Sequence, residues 1–107
     1  MPKQDLRTRI LRLAREKFFR LGFYRVSVDS LVAELRTSKS SIYKHFGSKE
    51  DLVRAVMEDL NEEINGKLEA ILADDRLSFF GKLTAVSEFT GQLLHQVSRE
   101  FLEDLRI

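Results

Sequence analysis

The sequence contains no cysteine, which excludes disulfides, thiolate metal ligands and a cysteine nucleophile. Proline occurs once, at position 2, and glycine five times in 107 residues, so few residues interrupt a helix. No apolar run approaches the roughly 20 residues that a membrane-spanning helix needs. The N-terminus leads into a charged stretch rather than an apolar signal core. These absences predict a soluble, cytoplasmic protein.

Charge is unevenly distributed along the chain. Residues 1–54 hold 13 Lys and Arg against 6 Asp and Glu, whereas residues 55–107 hold 5 against 11. The halves therefore carry balances of +7 and −6, although the net charge of the whole chain is only +1. A basic half joined to an acidic half predicts that the first half meets a polyanion. The alternative is a solvated charged surface with no ligand.

Apolar residues recur at helical spacing along the whole chain, and no segment alternates as a strand does. Residues 5–21 form the first predicted helix, and Gly22 follows where a left-handed end is needed. Three serines mark further helix starts, because a serine hydroxyl accepts from the free amides of a first turn. These serines are Ser27, Ser38 and Ser48. The fourth helix continues to about residue 73, and residues 77–107 are predicted to be helical again, with a bend or a close approach at Gly91.

Two of the predicted helices are short and are joined by about three residues, as in a helix-turn-helix. The second, from Lys39 to Phe46, offers only Ile42 and Phe46 for burial and is otherwise too polar for a core. Small and polar side chains let a helix approach the base edges of a major groove. The pattern predicts an all-α protein whose third helix projects from the surface.

Residues 6–53 resemble the DNA-binding domain of the TetR family of transcriptional repressors. The matching stretches are Arg9-Ile10-Leu11, Leu21-Gly22-Phe23-Tyr24, Ser27-Val28 and the run from Ser38 to Leu52. The resemblance implies a three-helix DNA-binding bundle over residues 1–47. Over residues 48–107 it implies a linking helix and the first part of a helical regulatory and dimerisation domain. It also implies double-stranded DNA and a second copy of the chain as partners, a small-molecule effector where the regulatory domain is complete, and neither a membrane nor a cofactor.

The resemblance also implies roles at DNA for eight residues. Those that approach base edges are Lys39, Ser40 and Lys44, and those that contact phosphates are Ser27, Thr37, Tyr43, His45 and Lys49. Base contacts carry sequence information, whereas phosphate contacts set the register. From the residues alone other interpretations stay open: a core-edge aromatic at 43, a helix-end cap at 45, and solvated lysines at 44 and 49.

Two positions depart from the family pattern. The family usually has glycine in the turn, where this sequence has Arg36, and a left-handed arginine would cost about 1 kcal/mol. At the Ser40 position the family tends to have glycine or another small residue. Serine still fits close to the groove and adds a hydrogen-bonding group.

The second half carries weaker signals. Its candidates for an effector pocket are Phe79, Phe80, Phe89, Gln92 and His95, although the spacing of the phenylalanines favours packing in the core. Full family members are about twice as long as this chain, so we expect it to be part of a longer protein. The apolar faces of residues 52–72 and 77–105 are broader than two helices can cover for each other, and this predicts further helices or a second subunit.

Three classes of function compete. The first is a sequence-specific transcription regulator, most simply a ligand-responsive repressor that binds a palindromic operator as a dimer. The second is a helical interaction module that works through its acidic half. The third is an enzyme, which we do not expect because the sequence has no glycine-rich phosphate loop, no nucleophile elbow and no histidine pair at metal spacing. We therefore predict no catalytic and no metal-binding residues.

Overall fold

The computed structural model describes residues 5–105, in which six α-helices follow one another and no strand occurs. The helices are α1 (Leu6–Leu21), α2 (Val28–Leu35), α3 (Lys39–His45), α4 (Lys49–Leu72), α5 (Phe79–Gln96) and α6 (Arg99–Asp104). The predicted all-α class is confirmed. The predicted domains 1–47 and 48–107 extend past these bounds, and residues 1–4, 106 and 107 lie outside the described part. No helix between residues 5 and 105 is both long and apolar enough to cross a membrane.

Serine caps begin five of the six helices. The capping residues are Ser27, Ser38, Ser48, Ser78 and Ser98. Each has an extended backbone, and its hydroxyl accepts from the amide three residues later at 3.1 Å. Such a cap satisfies an amide that the helix itself leaves without a partner. The helix starts predicted at the first three serines are confirmed.

The first four helices enclose one core. Its most deeply buried members, at most 1% exposed, are Ile10, Ala14, Phe18, Leu31, Ile42, Leu52 and Val56. Burying a large apolar side chain contributes about 1.5–3 kcal/mol. Because this core takes side chains from α1, α2, α3 and the start of α4, it fixes the short helix α3 relative to the longer ones.

A second, smaller core joins the C-terminal helix to α1. Phe101 of α6 is 3% exposed, and its ring centroid lies 4.9 Å from that of Phe19 and 5.3 Å from that of Phe23. The Ser98 amide donates to the Phe19 carbonyl at 2.7 Å, and the Phe23 amide donates to the Asp104 carboxylate at 2.7 Å. Helix α6 therefore packs directly on the corner between α1 and α2.

The C-terminal half differs from the sequence-based prediction in its continuity. The periodicity predicts helix throughout 77–107, with any bend at Gly91, but α5 passes through Gly91 and ends at Gln96. Val97 and Ser98 are extended. The Ser98 amide leaves the helix to bond the end of α1, and its hydroxyl then begins α6. The break is therefore set by a contact with a distant part of the chain.

The phenylalanines at the start of α5 also differ from the prediction. Phe79 and Phe80 are 70% and 76% exposed, although their spacing predicts packing in the core. Their rings contact each other at 5.5 Å between centroids. Helix α5 buries no residue fully within the described chain, where α4 packs along it and only its C-terminal end approaches α1.

Candidate nucleic-acid interface

The turn between α2 and α3 contains a strained residue. Arg36 follows α2 with φ 55° and ψ 48°, and among residues 5–105 it is the one non-glycine residue with positive φ. Its amide donates to the Ala33 carbonyl at 3.4 Å, and the Thr37 amide donates to the Val32 carbonyl at 3.2 Å. The left-handed conformation, which the sequence left open at this position, is thus present. It costs about 1 kcal/mol for an arginine and bends the chain sharply between the two helices.

Helix α3 is anchored by two side chains and is polar elsewhere. Ile42 is 1% exposed, and Phe46, immediately after the helix, is 4% exposed. The three residues predicted to approach base edges are all on the exposed side of α3: Lys39, Ser40 and Lys44. Ser38 caps the helix, so its first turn combines free amide groups with small and cationic side chains. This is the surface that a groove-reading helix requires.

The five residues predicted to contact phosphates lie on α3 and at the nearby helix ends. Tyr43 and His45 belong to α3, Thr37 lies in the turn before it, and Lys49 begins α4. Ser27 caps α2. Ser27, Tyr43 and His45 are exposed, whereas Thr37 and Lys49 are partly buried. Their exposure is compatible with contacts to the phosphate backbone of DNA, and their roles stay predictions.

Lys39 is held by a carboxylate that the sequence pattern did not single out. Its Nζ lies 2.9 Å from Oδ1 of Asp29, in the first turn of α2. The hydrogen bond and the charge of Asp29 raise the pKa of Lys39 above its ordinary 10.5, so the amine is cationic at neutral pH. Within residues 5–105, Lys44 and Lys49 form no ion pair. The three lysines are therefore not equivalent.

A cation that is not among the eight predicted DNA contacts lies beside the end of α3. The Arg7 guanidinium is 5.3 Å from the centroid of the Phe46 ring, a distance at which a cation and an aromatic face attract each other. This contact brings the N-terminal part of α1 to the same end of the domain as α3. No sequence signal distinguishes Arg7 from the other basic residues of α1.

The five effector-pocket candidates do not line one cavity. Phe89 and Gln92 line an open groove of about 510 Å³ between α4 and α5, whereas His95 lines a different cleft, of about 610 Å³, between α1 and the end of α5. Phe79 and Phe80 line neither. The rise of an α-helix places Phe79 and His95 about 24 Å apart along α5, too far for one small pocket. In the described part of the chain no cluster of His, Cys, Asp or Glu is arranged to hold a metal ion.

Comparison with known proteins agrees with this geometry. Residues 10–56 match the family described as bacterial regulatory proteins, tetR family. The probable HTH-type transcriptional regulator ArpR of Pseudomonas putida is 27% identical over 103 residues, which cover 96% of this chain and 46% of that protein. The HTH-type transcriptional regulator UidR of Escherichia coli K12 is 41% identical over 54 residues, which cover 50% of this chain and 28% of that protein.

A solved structure extends the likeness to the later helices. The crystal structure of a TetR transcriptional regulator from Legionella pneumophila superposes with a TM-score of 0.80 at 27% identity, over 87% of this chain and 50% of that one. The chain spans less than half the length of the two curated relatives named above. These relatives are regulators rather than enzymes, in agreement with the sequence-based expectation. The helix-turn-helix segment, residues 10–56, is therefore that of the TetR family of bacterial regulatory proteins.

Proposed function

We propose that the chain is the DNA-binding part of a sequence-specific transcription regulator whose helix α3 enters the major groove of double-stranded DNA. The observation that carries the proposal is the polar, exposed face of α3. Ile42 and Phe46 hold the helix against the core from its other side. A seven-residue helix with so little apolar surface has no packing role for that face. A groove lined with hydrogen-bonding base edges is the partner that such a face fits.

The proposed contacts divide into base-reading and register-setting ones. Lysine donates to guanine O6 and N7, and serine donates or accepts with several bases, so we assign base reading to Lys39, Ser40 and Lys44. We assign phosphate contacts to the residues around them: Ser27, Thr37, Tyr43, His45 and Lys49. The latter hold the domain on the duplex and add affinity that does not depend on sequence.

The distribution of charge supports an orientation in which residues 1–54 face the duplex. Residues 1–54, which contain α1, α2, α3 and the start of α4, carry a net positive charge. Residues 55–107 carry a net negative charge. Helix α4, with 24 residues, is about 36 Å long. It carries the chain from Lys49 to Leu72, so its far end and the start of α5 lie well away from a duplex bound at α3.

We further propose that two copies bind a palindromic operator as a homodimer, in the cytoplasm of a bacterial cell, and that the protein is a ligand-responsive repressor. One reading head contacts few bases, and paired half-sites supply the remaining specificity. Large apolar side chains exposed near the junction of α4 and α5 support a second subunit: Leu72, Phe79, Phe80 and Leu83. The groove beside Phe89 and Gln92 has a volume in the range of ligand sites. A mass of one chain at every concentration would contradict the dimer.

The salt dependence of binding to a random-sequence duplex tests the DNA-binding proposal. Each lysine that contacts a phosphate makes the slope of log K against log salt about 0.9 steeper. We therefore expect Lys49→Ala to flatten the slope by about that amount. The matched control is Lys67→Ala, which removes an exposed lysine from the distal part of α4 and should leave the slope unchanged. A chain that binds no duplex even at low salt would contradict the proposal and favour an interaction module that works through the acidic half.

A further inference from the structure

The ion pair between Lys39 and Asp29 constrains the side chain that begins α3. It links the first turn of α2 to the first residue of α3, ten residues later, across the bend at Arg36. Both side chains stay accessible, at 55% exposed for Lys39 and 74% for Asp29. A pair so exposed is weak and can be displaced. In the unbound chain, however, it places a negative charge in contact with a base-reading candidate.

The two kinds of acceptor on DNA respond differently to that charge. A phosphate is anionic, so Asp29 repels it at the position where Lys39 would hold it. Guanine O6 and N7 are uncharged acceptors on a base edge. An ammonium group has three donors, and Lys39 can therefore keep one hydrogen bond to Asp29 while donating another to a base. Asp29 thus opposes a phosphate contact more strongly than a base contact.

We propose, resting on the DNA-binding function above, that Asp29 is a positioning residue that determines specificity by directing Lys39 to base edges and away from phosphates. Its carboxylate lowers the affinity for random DNA more than the affinity for the cognate site. Lys44 and Lys49 form no such pair within residues 5–105, and they supply attraction without this restraint. The ratio of cognate to random affinity therefore depends on an acidic side chain that contacts no base.

The test compares Asp29→Asn with the wild-type chain on two duplexes. The cognate duplex is first selected from random sequences with the wild-type chain, and dissociation constants are then measured for it and for a random duplex from 50 to 200 mM salt. Asp29→Asn should bind the random duplex about threefold to tenfold more tightly at the lowest salt. Its slope should be about 0.9 steeper, because the released lysine gains one phosphate contact. The affinity for the cognate duplex should change less, so the ratio of cognate to random affinity falls.

Two further variants separate positioning from general effects of charge and folding. Glu34→Gln removes another ion-paired carboxylate of α2, whose partner Lys17 is on α1 rather than α3, at 2.9 Å. It should leave the specificity ratio unchanged. Asp29→Glu keeps the charge and should restore most of the wild-type ratio. Thermal unfolding of each variant shows whether it is folded, and neither the ratio nor the slope follows from stability alone.

The outcomes distinguish this inference from the function on which it rests. If the wild-type chain binds duplex DNA but Asp29→Asn leaves both ratio and slope unchanged, or changes them no more than Glu34→Gln does, the inference is wrong and the proposed function stands. A loss of cognate affinity alone would also overturn it, because Asp29 would then contact a base itself. If the wild-type chain binds no duplex, the proposed function fails first.

Discussion

Replacing Gly22 with alanine should destabilise the chain by an amount that follows from two features of the α1–α2 corner. Gly22 has φ 84° and ψ 179°, a conformation that is essentially restricted to glycine and costs another residue about 1–3 kcal/mol. A Cβ there would overlap Oδ2 of Asp104 and lie 3.2 Å from the Glu100 carbonyl oxygen. Asp104 would have to turn away and give up its hydrogen bond from the Phe23 amide, at a cost of about 1 kcal/mol. We expect a total of about 3 kcal/mol.

Thermal unfolding followed by circular dichroism measures this cost. For a domain of this size, about 3 kcal/mol corresponds to a fall in Tm of about 10–20 °C. Gly66→Ala is the matched control, because no atom outside the helix lies within 4 Å of its added Cβ. Gly66 is inside α4, so alanine should raise stability by about 0.5–1 kcal/mol. In an Asp104→Ala background the cost of Gly22→Ala should shrink by about 1 kcal/mol. If Gly22→Ala is neutral or stabilising, the reasoning about this corner is refuted.

Three further predictions concern the strained turn, the cap of α1 and the proposed DNA contacts. Arg36→Gly should be about 1 kcal/mol more stable than Arg36→Ala in urea unfolding, since only glycine relieves the left-handed backbone; equal stabilities would contradict this. Asp5 caps α1, and the Thr8 amide lowers its pKa below the ordinary 3.8. The stability that this cap contributes is therefore present above pH 3.8 and is lost as the pH falls through the lower pKa that Asp5 has in the folded chain. The Tm difference between wild type and Asp5→Ala should disappear in acid rather than persist. Lys44→Ala should weaken binding to a selected duplex about 5–100-fold more than binding to a random one, whereas Tyr43→Phe should weaken both alike; equal losses for Lys44→Ala would remove it from the base-reading set.

Most of the first half could be predicted because its structure depends on local chemistry. A serine before a helical run accepts from the amide three residues later wherever it occurs, and this accounts for the caps at 27, 38 and 48. Glycine after a helix marks a positive φ, as Gly22 confirms. The burial of Ile42 and Phe46 follows from their spacing on an otherwise polar helix. The exposed face of α3 could therefore be predicted before any tertiary contact was known.

The features that could not be predicted depend on residues that are distant in the chain. The break between α5 and α6 contains neither proline nor glycine, and it exists because the Ser98 amide bonds the Phe19 carbonyl. The aromatic cluster around Phe101 likewise joins residues about 80 positions apart. Periodicity contains no information about such pairings. The same holds for the ion pair between Asp29 and Lys39, which depends on the angle between two helices.

The effector-pocket candidates were dispersed for a different reason. The five candidates share a chemical character and lie on one helix, but a helix turns and advances with every residue. Phe89 and Gln92 lie three residues apart and line the same groove. His95 lies farther along and lines another cleft, and the start of α5 is exposed.

An NMR titration tests most directly whether α3 is the helix that meets DNA. Backbone amide shifts of the ¹⁵N-labelled chain are followed while a duplex is added at low salt. The proposed function predicts that the largest changes fall on Lys39–His45 and at Lys49, with little change along Phe79–Gln96. Changes concentrated on α5 or on the acidic part of α4, with α3 unaffected, would contradict it.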